Sequence, residues 1–235
     1  MVTHVGVGQQ QVVDGRQLAP GATTVADGWT TLFILDAGPG QVALVDCGKD
    51  PSGAAIFTAL RARGLAAEAV KAIFITHGHE DHIAGCHLFP SAEIYAFEGD
   101  VKIAAGEERP KGPLASKFAL PKEKSVRVTR TLTDGETVEV GTLEVKAYAV
   151  PGHTAGSAAY LSKGVLYLGD NAAGRVNGRA IKHAAALYSD DVAQNIAELI
   201  KLHARLKAEE AWVHTLAFAH SGPIEGLDPL LTAGQ

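Results

Sequence analysis

The stretch KAIFITHGHEDHIAG, residues 71–85, constrains the fold of this chain more than any other feature. Its first half is a β-branched, apolar run of the kind that forms a buried strand, and three histidines and two acids follow directly behind it. A strand that ends at His77 leads the backbone into a loop, and catalytic side chains often converge in such loops. The sequence therefore predicts a sheet edge that carries a cluster of ligating side chains.

The spacing of the polar residues in this loop indicates two metal ions. His77 and His79 are two residues apart and can bind one ion from a turn. Asp81 and His82 are adjacent, begin the next segment and point elsewhere, so they can hold a second ion. A solvated, histidine-rich turn is the alternative, but this combination of ligand types and spacing rarely arises by chance.

The motif THGHEDHIAG, residues 76–85, resembles the signature of the metallo-β-lactamase superfamily. Members of that superfamily pair the motif with further histidines and an aspartate downstream. The resemblance covers roughly residues 25–225. It implies an α+β fold, the αββα sandwich, in which two mixed β-sheets lie face to face, helices cover the outer faces and metals lie at one edge. The predicted alternation of strands and helices in each half of the chain agrees with this architecture.

Two downstream motifs extend the ligand set under this resemblance. PGHTAGS, residues 151–157, is similar to the second ligand motif and makes His153 the third ligand beside His77 and His79. The resemblance also implies that Asp170, at the end of the strand GVLYLGD, bridges the two ions. A carboxylate can do so because each of its oxygens can bind one ion at the ~3.5–4 Å separation of two-metal hydrolytic sites.

The last expected ligand follows the final apolar strand, AWVHTLAFA, residues 211–219. His220 lies just past this strand, and His214, earlier in it, is the competitor. We favour His220 because it stands at a strand end. The expected ligands are His77, His79 and His153 for one ion, Asp81, His82 and His220 for the other, and Asp170 for both.

The chain has only two cysteines, Cys47 and Cys86, and each lies beside a turn glycine. They form neither a disulfide framework nor a C-x-x-C metal site. We expect both to be reduced, small, buried residues. A ligand role for Cys86, one turn beyond His82, is the less favoured alternative.

Composition and charge exclude several classes of partner. The 235 residues contain no linker, repeat or low-complexity tract, which predicts a single domain over residues 1–235. A net charge of -5 with scattered Lys and Arg disfavours nucleic acid as a partner. No run approaches the ~18–20 apolar residues of a membrane span, and residues 1–16 lack the pattern of a secretory signal. We expect a cytoplasmic protein that acts on a small molecule, while its oligomeric state stays open.

Apolar runs and turn residues predict the elements around the first motif. Residues 30–36 and 41–46 flank the turn 37–40, so they should form an antiparallel hairpin. Helical spacing from Ser52 to Arg63, with Ser52 as N-cap, predicts a helix that completes a βαβ unit with the strand before His77.

Further along, short strands separated by turns predict an antiparallel meander from Ser125 to Val150. The clearest helix of the chain is expected to begin at Ser189 with Asp190 and Asp191.

Two charged loops are candidate substrate contacts. Residues 107–124 are rich in Lys and Pro and lack periodicity, so they form either a lid over the substrate or a solvated connection. The loop after Asp170 carries Arg175, Arg179, Lys182 and His183. These side chains either bind an anionic group of the substrate or are merely solvated.

The predicted site indicates hydrolysis. Two cations lower the pKa of a shared water from 15.7 towards ~7 and polarise the bond to be cleaved. Two Zn²⁺ ions suit neutral imidazoles and carboxylates, and Fe²⁺ or Mn²⁺ fit this ligand set nearly as well. Asp81 can also carry a proton to the leaving group.

The resemblance narrows the substrate class. Asp170 stands where β-lactamases of the superfamily have a cysteine or no bridging carboxylate, whereas glyoxalase II-like thioesterases and lactonases keep the aspartate. Only 15 residues follow His220, too few for the helical C-terminal domain of typical glyoxalase II. We therefore expect a dinuclear metal-dependent hydrolase of a small ester, thioester or lactone. The alternatives are β-lactamase activity, a mono-iron sulfur dioxygenase, and a metal-holding protein without turnover.

Overall fold

The computed structural model describes residues 13–117, 125–175 and 178–235. The strands in these ranges are β1 Gln17–Ala19, β2 Ala22–Asp27, β3 Thr30–Gly38, β4 Gln41–Val45, β5 Val70–Phe74, β6 Glu93–Phe97, β7 Arg130–Leu132, β8 Thr137–Val140, β9 Leu143–Ala149, β10 Ala158–Ser162, β11 Val165–Tyr167, β12 Ala172–Gly174, β13 Ile181–His183, β14 Thr215–Ala217 and β15 Ile224–Glu225. The α-helices are α1 Ala54–Ala62, α2 Glu80–Ile83, α3 Glu98–Ala104 and α4 Val192–Ala208.

The strands form two mixed sheets. The first sheet has the order β1 to β7; its strands are antiparallel as far as β4 and parallel from β4 to β7. The second sheet has the order β15-β14-β11-β10-β9-β8, and only its β11–β14 pair is parallel. Strands β12 and β13 pair separately. The expected α+β architecture of two mixed sheets with helices is confirmed.

Three apolar clusters hold the layers together. Phe33 and Phe74 of the first sheet pack with Tyr160 and Tyr167 of the second, which fills the space between the sheets. The alternation of side chains along a strand leaves a second apolar face on each sheet. Helix α1 covers that face of the first sheet and α4 covers that of the second. Among the helices described, none is both long and apolar enough to cross a membrane.

Several sequence predictions are confirmed locally, and two are wrong. The β3–β4 hairpin and the β4-α1-β5 unit form as expected. Ser52 is not the N-cap of α1, because Gly53 takes that position in a left-handed conformation with φ 62° and Ser52 bonds to Asp50 instead. Strand β7 does not join the meander, since it pairs in parallel with β6. A turn at residues 133–136, where Glu136 accepts a hydrogen bond from the amide of Thr133, carries the chain to the second sheet.

The expectation of reduced cysteines is wrong. Cys47 and Cys86 form a disulfide across 39 residues of sequence, with their Cα atoms 5.3 Å apart. The segment after β4 lies beside helix α2, where the amide of Cys47 donates to the carbonyl of His82 at 2.6 Å. This packing between distant segments brings the sulfurs together, and cysteine spacing alone does not show it.

Candidate metal centre

The predicted site residues lie in loops at one edge of the two sheets. His77 and His79 follow β5, and the parallel arrangement of β4 and β5 places the ends of both strands at this edge. From the second sheet, the β9–β10 loop supplies His153, while Asp170 and His220 follow β11 and β14. All seven predicted side chains converge here, in overlapping groups of three whose ligating atoms lie within 4.8 Å of one another.

His77, His79 and His153 form the first trio. His153 is fully buried, His77 is 1% exposed and His79 is 8% exposed. The centres of the three rings are 4.5–4.7 Å apart, and Nε2 of His153 lies 3.1 Å from Nδ1 of His79. In the protein without metal, burial lowers the pKa of His153 to about 4 and that of His79 to about 3. These imidazoles are therefore neutral at pH 7, the form that binds a cation.

Asp81, His82 and His220 form the second trio, which is more open. His82 is buried, whereas 28% of the Asp81 side chain and 26% of the His220 side chain are exposed. Nε2 of His220 lies 3.4 Å from Oδ2 of Asp81. Burial acts to lower the pKa of His220, but the carboxylates of Asp170 and Asp81 outweigh it and raise this pKa to about 10. Without metal, the second trio therefore holds protons at pH 7.

Asp170 lies between the two trios. Its Oδ1 is 3.4 Å from Nε2 of His82, and its Oδ2 is 3.2 Å from Nε2 of His220 and 3.8 Å from Nε2 of His153. Burial acts to raise the pKa of Asp170, but His220 and His82 hold it well below its usual value. The carboxylate is thus ionised, and its Oδ2 lies between a histidine of each trio, a position from which it could contribute to both sites.

A second layer of groups orients the histidines, and the sequence did not single it out. Oδ2 of Asp46 accepts a hydrogen bond from Nδ1 of His82 at 2.8 Å, and the same carboxylate binds the amide and hydroxyl of Thr76. Nδ1 of His153 lies 2.9 Å from Oγ of Ser189, and Nδ1 of His220 donates to the carbonyl of Trp29 at 2.8 Å. An acid at the end of buried strand β4, in VDCG, was the available signal for Asp46.

The donor atoms fit a bound cation. Nε2 of His77, Nε2 of His82 and Oδ1 of Asp170 are buried and, within the described residues, have no hydrogen-bond partner. Buried polar atoms without hydrogen-bond partners destabilise the folded state. A metal ion bound between converging nitrogen and oxygen atoms of this type would satisfy them. Nitrogen and carboxylate oxygen without thiolate suit Zn²⁺, Fe²⁺ or Mn²⁺.

The competing residues do not join this cluster. Nδ1 of His214 pairs with Oγ1 of Thr215, and its ring packs on Trp212. Cys86 is not a free thiolate ligand because it is in the disulfide. His214 and Cys86 are therefore not members of either trio.

The two candidate substrate loops are only partly described. Residues 118–124 of the predicted lid lie outside the described residues. The part of the loop before residue 118 runs beside the segment that contains Ser189, the hydrogen-bond partner of His153. The amide of Lys111 donates to Asp190, and the amide of Leu114 donates to the carbonyl of Leu187. In the other loop, Nε of Arg175 donates to the carbonyl of Ile181 and so faces its own β12–β13 pair.

Comparisons with known proteins identify the family of this chain. The family model of the metallo-β-lactamase superfamily matches residues 24–211. A hydroxyacylglutathione hydrolase of Citrobacter koseri is 28% identical over 143 residues, which cover 59% of this chain and 45% of that protein. The chain thus spans less than half the length of this relative.

Solved structures show the same fold. MEM-A1, a subclass B3 metallo-β-lactamase from a soil metagenome library, has a TM-score of 0.66 at 22% identity and covers 88% of this chain and 80% of its own. BJP-1, a subclass B3 metallo-β-lactamase of Bradyrhizobium japonicum, has a TM-score of 0.68 at 20% identity. The match covers 92% of this chain and 88% of BJP-1. A metallo-β-lactamase family protein of Thermus thermophilus has a TM-score of 0.62 at 22% identity. The match covers 90% of this chain and 77% of that protein. At these identities the likeness shows the fold alone.

Proposed function

Because the chain belongs to the metallo-β-lactamase superfamily, we propose that it is a hydrolase that uses two divalent cations to cleave a small-molecule ester, thioester or lactone. The observation that carries the proposal is the position of Asp170, whose Oδ2 lies between a histidine of each trio, 3.8 Å from Nε2 of His153 and 3.2 Å from Nε2 of His220. The thioester within this class is supported by the relative named hydroxyacylglutathione hydrolase. We propose two Zn²⁺, with Fe²⁺ or Mn²⁺ as alternatives.

The side chains of the site have distinct roles in this proposal. His77, His79 and His153 would hold one cation, and the second trio would hold the other. Bound cations at such a site supply an activated water at neutral pH and polarise the bond under attack. The second layer keeps the imidazoles in the orientation that binding needs, since Asp46 and Ser189 each engage a ring nitrogen that faces away from the cluster.

Asp81 moves the proton. Its side chain is 28% exposed, so solvent can reach it, and its Oδ2 lies 3.4 Å from Nε2 of His220 within the second trio. Burial acts to raise the pKa of Asp81, but His82 and His220 lower it below its usual value, which keeps the carboxylate ionised at pH 7 so that it can hold a proton only in passing. It then releases that proton to the leaving group.

The compartment is a separate matter. The sequence predicted a cytoplasmic protein, whereas disulfides such as Cys47–Cys86 persist mainly in oxidising compartments. We therefore propose that the protein works outside a reducing cytoplasm. Thiol titration of protein taken directly from its native compartment tests this, and two free thiols per chain would support the original prediction.

Metal analysis combined with a substrate panel tests the function. The panel contains lactones, thioesters, aryl esters, a cephalosporin and a phosphodiester, assayed with protein purified without chelator. We expect two metal ions per chain and turnover of at least one lactone, thioester or ester. One equivalent of iron with oxygen uptake on glutathione persulfide would indicate the dioxygenase instead. Turnover of the cephalosporin alone would indicate a β-lactamase, and no turnover with any metal would leave a metal-holding protein.

A further inference from the structure

The first turn of helix α3 lies between the two loops that carry the first trio. Asp100 belongs to this turn and is fully buried. Within the described residues, no hydrogen bond or ion pair joins it to any of the seven predicted ligands. Burying a carboxylate is costly unless its oxygens are satisfied by hydrogen bonds. The partners of Asp100 therefore show what the buried charge does.

Within the described residues, the hydrogen bonds to the Asp100 carboxylate come from the two ligand loops. Its Oδ2 accepts from the amide of Gly78 at 2.6 Å and from Oγ1 of Thr154 at 2.8 Å. Its Oδ1 accepts from the amide of Gly156 at 2.9 Å. Gly78 lies between His77 and His79, and Thr154 follows His153. One carboxylate thus joins the loop of two ligands to the loop of the third.

Glycines make this close approach possible. A Cβ on Gly156 would lie 2.4 Å from the backbone nitrogen of Asp100, and one on Gly99 would lie 2.5 Å from the carbonyl carbon of Ala155. A Cβ on Gly78 would lie 2.9 Å from Cγ2 of Ile103. Real Cβ atoms do not approach other atoms so closely, so the backbones of α3 and both loops are packed against one another.

We propose that Asp100 is a positioning residue of the metal centre, which fixes the distance between the His77–His79 loop and the His153 loop and so sets the affinity and geometry of the first cation site. This inference rests on the metal centre of the proposed function. Asp46 orients one ligand by touching it, whereas Asp100 acts on three ligands through the backbone that carries them.

Asp100→Asn is the sharpest test because it keeps the shape and changes only the donor pattern. A carboxylate accepts with both oxygens, whereas an amide turns one of them into a donor. The rotamer that keeps the bonds from Gly78 and Thr154 places the NH₂ group against the amide of Gly156. Two donors then face each other, and the His153 loop is released.

The experiment measures Zn²⁺ affinity by chelator competition and the absorption spectrum of the Co²⁺-loaded protein. We expect Asp100→Asn to weaken the first site by about 10–100-fold, the usual effect of losing an outer partner of a metal ligand. Its Co²⁺ spectrum should also change. In the metal-free protein, the amide of Gly156 should exchange with solvent at least ~10-fold faster. None of these three readouts depends on catalytic activity, and the exchange measurement also needs no bound metal.

A core variant provides the matched control. Leu206→Ala removes a fully buried side chain at the far end of α4 and should lower the melting temperature without changing either ligand loop. If Leu206→Ala weakens Zn²⁺ binding as much as Asp100→Asn does, the role of Asp100 is only structural and the proposal is overturned. If Asp100→Asn does not fold, Thr154→Val removes one of the three donors, and unchanged affinity in that variant overturns the proposal as well.

The outcomes also separate this inference from the proposed function. A wild-type protein that binds no metal contradicts the proposed function itself. A wild-type protein that binds two ions, with Asp100→Asn indistinguishable from it in affinity and spectrum, overturns only the role of Asp100.

Discussion

The two trios of the candidate metal centre use similar side chains in opposite electrostatic states. The first trio is three imidazoles with at most 8% exposure, and burial lowers the pKa of His153 to about 4. The second trio contains a carboxylate and shares Asp170, and these acids raise the pKa of His220 to about 10 despite burial. At neutral pH the first trio is therefore ready to bind a cation, while the second holds protons that a cation must displace.

The largest expected effect separates the trios by deleting one ligand from each. His220→Ala should leave one metal ion per chain at the first trio, and His153→Ala should leave one at the second. Each site has four protein ligands when Asp170 is counted, and the loss of one histidine leaves three, so binding there should weaken enough for the ion to be lost during gel filtration. Metal content by elemental analysis after gel filtration checks both variants. An unchanged two ions in His220→Ala would break the assignment of the second trio.

The next effect concerns the residue that belongs to both trios. Asp170→Asn keeps the shape of the side chain but removes its charge and a strong metal contact. We expect kcat to fall at least ~10²-fold with a smaller change in KM, on the scale of losing a principal electrostatic element of a transition state. Circular dichroism should be unchanged. Full activity with both ions retained against a chelator would show that Asp170 does not bridge.

The convergence of the seven side chains could be predicted because each stands in one motif or at a strand end. His77, His153 and His220 all follow apolar runs, and the resemblance to the superfamily joined them with Asp170 into one expected site. Their roles as ligands remain predictions. The support of the site could not be read in the same way. Asp100 and Gly156 meet across 56 residues, and neither belongs to a motif that names its partner.

The predictions for the two cysteines and for β7 were wrong for the same physical reason. Both depend on which segments lie side by side, and local periodicity carries no such information. Cys47 and Cys86 flank the ends of β4 and α2, and β7 adds to the edge of the first sheet beside β6. The overall architecture was predictable because it follows from the alternation of strands and helices.

The third effect is a difference in pH dependence between the sites. A cation competes with the proton on His220, whose pKa is about 10, so affinity at the second trio should rise with pH up to that value. Between pH 7 and pH 9 we expect a gain of at least about 10²-fold there, since displacing the His220 proton alone gives tenfold per pH unit and the pKa of His82 is also raised. His153, with a pKa of about 4, has already lost its proton, so the first trio should change little over this range.

Zn²⁺ titrations of His220→Ala and His153→Ala at several pH values check this difference, since each variant reports one trio. The sign follows from the pKa shifts. A raised pKa means that protons are held more tightly, so lower pH opposes binding at the second trio. Equal pH slopes for the two variants would break the electrostatic comparison between the trios.

The smallest effect tests how firmly the first trio is held by its side-chain partner. Ser189→Ala removes the hydroxyl that lies 2.9 Å from Nδ1 of His153 and leaves the ring free to turn. We expect a loss of about 10-fold in affinity at the first trio, the lower end of the effect of outer partners. The second trio should keep its affinity, because His220 is held by the backbone carbonyl of Trp29 and His82 by Asp46. Asp191→Ala is the control, since it removes the side-chain N-cap of α4 and leaves the Ser189 hydroxyl in place. An equal loss of first-site affinity in Asp191→Ala would mean that the start of the helix, rather than the hydroxyl, positions His153. A loss of second-site affinity in Ser189→Ala would mean that the effect of the hydroxyl is not confined to the first trio.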